Sequence, residues 1–219
     1  MILAEIINLK NYTVAEHVFF ALGCLLWVFT YVIVIKNIRK IQFVEIPLMA
    51  VLANYSWEFL WSWVFKTDMG ELYVWGYRIW FFLDCFILYG LFKYGIKQVA
   101  EDLLKKTYYF NLIFGLASWM FILYFYIKLY DLPYSHMGAF SGYILNVMMS
   151  ALYITFFLRM KQPSYFSYLS SWFKGVGTLL ITVFCFLHFS DWFLLSMCIV
   201  TSLLDLFYIF IFSTKRTNP

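Results

Sequence analysis

The sequence predicts an all-α, polytopic membrane protein. It reads as a single domain over residues 1–219 with seven transmembrane helices, the N-terminus outside and the C-terminus cytoplasmic. Three observations carry that expectation. Hydrophobic residues make up 64% of the 219 and charged residues 13%, against about 45–50% and about 25% in a soluble domain. Seven apolar runs approach the roughly 20 helical residues that a hydrocarbon core of about 30 Å demands: residues 14–35, 46–65, 74–94, 108–129, 136–158, 176–189 and 193–212. The basic residues are also unevenly shared between the two sides. Lys36, Arg39, Lys40, Lys93, Lys97, Lys105, Lys106, Arg159, Lys161, Lys174, Lys215 and Arg216 fall on one side, and only Lys10, Lys66 and Lys128 on the other. The positive-inside rule makes the richer side cytoplasmic.

Bulk properties exclude several classes. A formal charge of +4 without a basic run gives no reason to expect nucleic acid. The four cysteines (Cys24, Cys85, Cys185, Cys198) lie in apolar runs without CxxC spacing, which suits packing rather than zinc or a disulfide framework. Residues 1–11 lack the charged start of a cleaved signal, so the first run is expected to remain as a span. Aromatics reach 24%. Interfacial belts account for part of them, yet Phe, Tyr and Trp also run through the centres of the apolar segments.

Taken in order, the first run carries Glu16 and His17 at its outer edge, where they read as a solvated helix start. In the second, Asn54, Glu58, Trp61 and Phe65 share one helical face. An acid at a helix centre costs roughly 2.5–3.5 kcal/mol to insert. Its cheapest form there is protonated, because desolvation disfavours the charge. Glu58 among tryptophans therefore reads as a Brønsted acid; the alternative is a hydrogen bond to a neighbouring helix. In the third run Tyr77, Trp80 and Asp84 share a face, and Arg78 near the outer end is expected to snorkel. Asp84 needs a partner, either Arg78 of another packing layer or a Lys or His elsewhere, and a buried pair there would fix helix registry. The fourth run, with Gly115, Ala117 and Ser118, reads as close-packed scaffold.

The fifth run presents a polar stripe, Tyr143, Asn146, Ser150 and Tyr153, that reads as the wall of a polar cavity; His136 leads into it at the outer interface. The stretch from Ser170 through Lys174, Gly175 and Gly177 reads as the start of the sixth helix with close backbone packing, Lys174 snorkelling on the cytoplasmic side. In the seventh run Asp205 is near mid-membrane, with Thr201 and Tyr208 on its face. Glu58, Asp84 and Asp205 are expected to converge on one cavity.

No DDxxD, DxDD or HExxH motif is visible, so no metal and no other cofactor is expected. A buried acid, tyrosines and aromatic faces remain. Aromatic rings stabilise cations by about 2 kcal/mol or more when desolvated. Acid and rings in a dry site suit a carbocation made by protonation and shielded from water. A transporter or receptor would use the acids as a proton relay, but the internal repeat with broken helices that this predicts is not visible.

Asn54-x-x-Trp57-Glu58, Arg78-x-Trp80-x-x-x-Asp84, Asn146-x-x-x-Ser150, Lys174-Gly175-x-Gly177-Thr178 and Leu204-Asp205-x-x-Tyr208 occur in this order. Over residues 46–212 the pattern resembles the integral-membrane terpene cyclases of meroterpenoid and indole-terpenoid biosynthesis, of paspaline- and pyripyropene-cyclase type, with bacterial relatives acting on prenylated indoles. The resemblance implies a membrane enzyme, in a bacterial plasma membrane or endoplasmic reticulum. It would cyclise a farnesyl or geranylgeranyl derivative without cleaving a diphosphate, in contact with membrane lipid. It implies Glu58 as proton donor to a terminal epoxide or alkene, with Asp205 orienting or reprotonating it or taking the final proton. Asp84 and Arg78 would support them. Asn54, Trp57, Trp61, Trp80, Tyr143, Asn146, Ser150 and Tyr208 would line the substrate.

Overall fold

A computed structural model describes residues 6–160 and 162–217; Lys161 and residues 1–5, 218 and 219 lie outside the described residues. All described secondary structure is helical, without a strand among the described residues. The α-helices are α1 Val14–Ile41, α2 Leu48–Phe59, α3 Glu71–Tyr94, the short α4 Asp102–Lys106, α5 Tyr108–Tyr126, α6 Ala139–Arg159, α7 Tyr168–His188 and α8 Trp192–Thr217. Among the described residues six stretches are long and apolar enough to cross a membrane: Val14–Ile41, Glu71–Gln98, Tyr108–Asp131, Ala139–Arg159, Tyr168–His188 and Trp192–Arg216. The second apolar run is the short one. Its α-helix has 12 residues and continues as a 5-residue π-helix, Leu60–Val64. This short α2 sits at the centre, packed against α3, α5 and α6, while α1 packs on α3 and α7, and α8 on α6 and α7.

Local chemistry sets the ends. Thr13 and Glu16 form a capping box at α1, with the Glu16 backbone N–H on Thr13 Oγ1 at 3.3 Å and the Thr13 N–H on Glu16 Oε2 at 2.5 Å. Such a cap contributes about 1 kcal/mol. Glu16 and His17 are buried, contrary to a solvated start. The chain before α1 folds over the helix end, and Tyr12 donates to Asp68 Oδ1 at 2.7 Å. His17 then lies between the Tyr73 hydroxyl at 2.8 Å and the Asn8 carbonyl at 3.1 Å, while Glu16 meets His188 Nδ1 at 3.1 Å.

The sixth helix begins at Tyr168, not near 176, because Ser167 caps it by accepting from the Ser170 N–H at 3.2 Å. Its glycines lie inside the helix and serve approach. A methyl group on Gly23 of α1 would stand 2.8 Å from the Gly177 carbonyl oxygen, so α1 and α7 touch backbone to backbone there. Gly115 of α5 makes room for a side chain instead, an added Cβ there lying 2.8 Å from Leu52 Cδ1 of α2.

Glu45, in the segment between α1 and α2, was not singled out by sequence. It is fully buried and ties that segment to α7 through the Ser167 N–H at 2.5 Å and Ser170 Oγ at 3.1 Å. Burial raises its carboxyl from 4.5 to about 7, against those hydrogen bonds, which lower it. The folded chain therefore holds this proton more tightly than the unfolded chain. Stability is expected to fall as pH rises from about 4.5 to about 7, by roughly 3 kcal/mol, and then level off. Thermal unfolding of the protein and Glu45→Gln across this range checks it: the variant loses that part of the slope.

Candidate active site

A cavity with about 700 Å³ of space between atoms lies between α1, α2, α3, α6 and α7. Phe20, Trp27 and Tyr31 of α1, Asn54, Trp57 and Glu58 of α2, and Tyr77 and Trp80 of α3 line it. Met137, Gly138, Tyr143 and Asn146 close it from the segment leading into α6 and from α6 itself, and Cys185 from α7. Among the described residues one acid stands in this wall, and it is Glu58.

Its surroundings are a compact hydrogen-bonded group. Tyr31 donates its hydroxyl to Glu58 Oε1 at 2.6 Å. Asn54 Nδ2 stands 2.9 Å from the same oxygen, 2.7 Å from the Tyr31 oxygen and 3.0 Å from Asp84 Oδ2. The i, i+4 spacing on α2 brings Asn54 beneath Glu58, and the face shared by Tyr77, Trp80 and Asp84 brings Asp84 in from α3. Glu58 Oε2 is buried and has no donor among the described residues. Asp84 thus leans on Asn54 and on the Glu58 carboxyl itself, not on Arg78. The Arg78 guanidinium lies over the Trp63 and Trp75 rings at 4.9 and 4.8 Å and its Nε reaches the Ser62 carbonyl at 3.4 Å. Arg78 lies about 120° around α3 from Asp84, and the half-buried guanidinium sets its charge against tryptophan faces.

The aromatic wall is held by its polar edges. Trp57 Nε1 donates to Ser141 Oγ at 2.7 Å, and Ser141 Oγ donates to Asp131 Oδ2. Asp131, also missed by sequence, accepts the Phe140 and Ser141 backbone N–H groups at 3.2 and 3.0 Å at the start of α6. Tyr77 donates to the Met137 carbonyl at 2.8 Å. With these groups engaged, ring faces are left for the cavity: Trp57 and Tyr77 centroids are 5.5 Å apart, Tyr77 and Trp80 5.6 Å. Trp61 stands behind this wall, 6.2 Å from Trp57, and does not line the cavity. Gly138 fits between them at φ +79°, where a Cβ would lie 2.6 Å from Trp61 Nε1 and 2.8 Å from Trp57. Gly138→Ala is expected to lose about 1–2 kcal/mol to the left-handed backbone alone, with a further loss from the clash. A lowered Tm in detergent, with reduced turnover from a displaced Trp57, is the check.

The polar stripe of α6 divides. Tyr143 and Asn146 face the cavity; Tyr143 shares a 2.9 Å hydrogen bond with Thr182, and the buried Asn146 Oδ1 has no hydrogen bond among the described residues. Ser150 and Tyr153 lie beyond it. Ser150 Oγ accepts from Lys174 Nζ at 2.8 Å, and Lys174 pairs with Asp205 at 2.5 Å, both side chains almost wholly buried. Lys174 does not snorkel, because α7 begins earlier than expected and carries it between α6 and α8. Asp205 accordingly does not share a cavity with Glu58. Trp27 lines the cavity and has the Lys174 ammonium 5.6 Å from its ring centroid, so that ring separates the two acids. Tyr208 packs on Tyr153 at 5.4 Å, in the same outlying cluster.

The family model of Pyr4-like transmembrane terpene cyclases matches residues 8–218. The chain belongs to this family. A Pyr4-family terpene cyclase, mfmH of Annulohypoxylon moriforme, is 22% identical over 201 residues, covering 87% of this chain and 82% of that protein. No solved structure matches the chain. The protein is thus an integral, multi-pass membrane member of a terpene cyclase family. The family match includes the first helix, where sequence reading placed no site residue, and α1 supplies Phe20, Trp27 and Tyr31 to the cavity. Their signal was spacing: 20, 27 and 31 fall on one helical face. Among the described residues no three His, Cys, Asp or Glu side chains are grouped to hold a metal ion.

Proposed function

We propose that the protein is an acid-initiated, metal-independent terpene cyclase. In this reading Glu58 protonates the terminal epoxide or alkene of a farnesyl or geranylgeranyl derivative, and the cavity rings guide the cation without diphosphate ionisation. The observation that carries it is the setting of Glu58: the acid of an aromatic cavity, one oxygen within reach of two donors and the other without a donor among the described residues. Asp84 supports it through Asn54. Trp57, Trp80, Tyr77 and Trp27 offer faces to the cation, and Asn146 offers an acceptor to the polar end of the substrate. Asp205 holds the α6–α7–α8 wall through Lys174. Arg78 anchors α3 through its tryptophans.

The same reading makes residues 48–64 a seventh, thinned crossing, with its site in the outer half of the bilayer and the N-terminus outside. Withdrawing Lys174 leaves the cytoplasmic side still far richer in Lys and Arg. The test is a product assay in membranes carrying the protein, supplied with farnesyl and geranylgeranyl compounds with and without a terminal epoxide. Mass spectrometry is expected to find a new product of unchanged mass. Substrate accumulated in vesicles without isomerisation would overturn the reading in favour of a transporter.

A further inference from the structure

We infer that Tyr31 is a positioning residue for the proton donor, and that Glu58 Oε2 is the atom that hands its proton to the substrate; this rests on the reading of Glu58 as the acid. The argument is one of donors and acceptors. Glu58 Oε1 receives the Tyr31 hydroxyl at 2.6 Å and the Asn54 amide at 2.9 Å. Asn54 Nδ2 has two protons, no lone pair to accept with, and three acceptors around it: Tyr31, Glu58 and Asp84. The reverse amide orientation would set an acceptor against two carboxyl groups. Tyr31 therefore accepts from Asn54, and its own proton goes to Oε1.

The Tyr31 proton makes Oε1 the accepting, carbonyl end of the acid, with the remaining Asn54 proton shared between Oε1 and Asp84. A neutral Glu58 carries its own proton on Oε2, the buried oxygen that no described donor engages, while the Asp84 carboxyl, itself hydrogen-bonded to Glu58, adds an acceptor beside the acid. An ionised Glu58 would leave Oε2 as a bare anionic oxygen away from water, the costlier arrangement. The carboxyl is thus polarised by construction, its carbonyl end anchored to α1 and α2 and its O–H end without a competing donor among the described residues.

This polarity fits the chemistry. As the Oε2–H bond breaks and the proton bonds to the epoxide oxygen or alkene carbon, the O–H electron pair stays on Glu58. The positive charge passes to the substrate. Negative charge spreads onto Oε1, where the Tyr31 bond strengthens as its acceptor becomes ionic. That is stabilisation growing towards the transition state, set in advance by a fixed donor. When the cyclised cation gives up a C–H proton, its return to the carboxylate restores the acid, and the product keeps the mass of the substrate.

The experiment uses the full chain in membranes and compares Tyr31→Phe, which deletes the donor and keeps the ring, with the unaltered protein. Turnover is expected to fall on the order of 10–10²-fold in kcat with KM little changed. Infrared difference spectra supply the second readout. The carboxylic C=O band that vanishes in Glu58→Gln is expected to move to higher frequency in Tyr31→Phe, because its carbonyl has lost a donor. If Tyr31→Phe fails to accumulate, 3-fluorotyrosine at position 31 keeps the shape and makes a stronger donor, and the band should move to lower frequency. An unmoved band, or a raised KM with kcat intact, overturns the inference. Unchanged turnover in Glu58→Gln instead overturns the acid reading itself, whatever Tyr31→Phe does.

Discussion

Glu58→Gln is expected to fold, accumulate in membranes and lose cyclisation, with kcat/KM lower by about 10²–10⁴-fold, the range for removing a positioned general acid. The amide is nearly isosteric. Its carbonyl oxygen can keep the Tyr31 and Asn54 bonds made to Oε1, so the cavity wall keeps its shape, while the NH₂ placed at Oε2 has no transferable proton. Glu58→Asp separates position from acidity. It retains the proton but withdraws it by one methylene from both its supports and the substrate, so it should recover only part of the loss. Initial rates with saturating and sub-saturating substrate, beside detergent unfolding curves for each variant, make the measurement. Equal conversion by protein and Glu58→Gln would remove Glu58 as the donor.

How much of this was legible in the sequence depends on what each residue interrupts. Glu58 breaks an apolar run, and Asn54 and Trp57 stand on its own helix, so one segment announced the acid, its support and an aromatic face. Tyr31 interrupts nothing. In a chain with 18 tyrosines, only the packing of α1 against α3 and α7 reveals which one meets the acid. Glu45 and Asp131 drew no notice in the sequence because they lie beside helix ends and interrupt no apolar run, yet both are buried and hold those ends. Lys174 was misplaced by a single inference. Gly175 and Gly177 suggested a helix start with close backbone packing; the close packing is there, at Gly177 against α1, but the helix starts earlier, at Tyr168. Moving that boundary takes Lys174 out of the loop and buries it. The partner it then requires is Asp205, which removes Asp205 from the cavity expected to hold it.

That displacement yields the second large effect. Lys174→Met is expected to destabilise the protein by about 3–5 kcal/mol, as breaking a buried pair does when one charge is left behind. Asp205 Oδ2 already lacks a hydrogen bond among the described residues, so losing Lys174 would leave the carboxylate without its counter-charge and with both oxygens in want of donors. Asp205→Leu should do comparable harm by stranding the ammonium over the Trp27 ring, at the back of the cavity wall. The double variant Lys174→Met/Asp205→Leu removes both charges and fills their space with apolar atoms, which is often neutral or stabilising. Its Tm is expected to return near that of the parent, against a drop on the order of 10 °C for each single variant. Turnover then decides what Asp205 does. As an anchor of the α6–α7–α8 wall it is dispensable once its partner is gone, and the double variant should cyclise within about tenfold of the parent. A stable double variant without activity would instead make Asp205 part of the chemistry, acting through the Trp27 ring on a cation that Glu58 had formed.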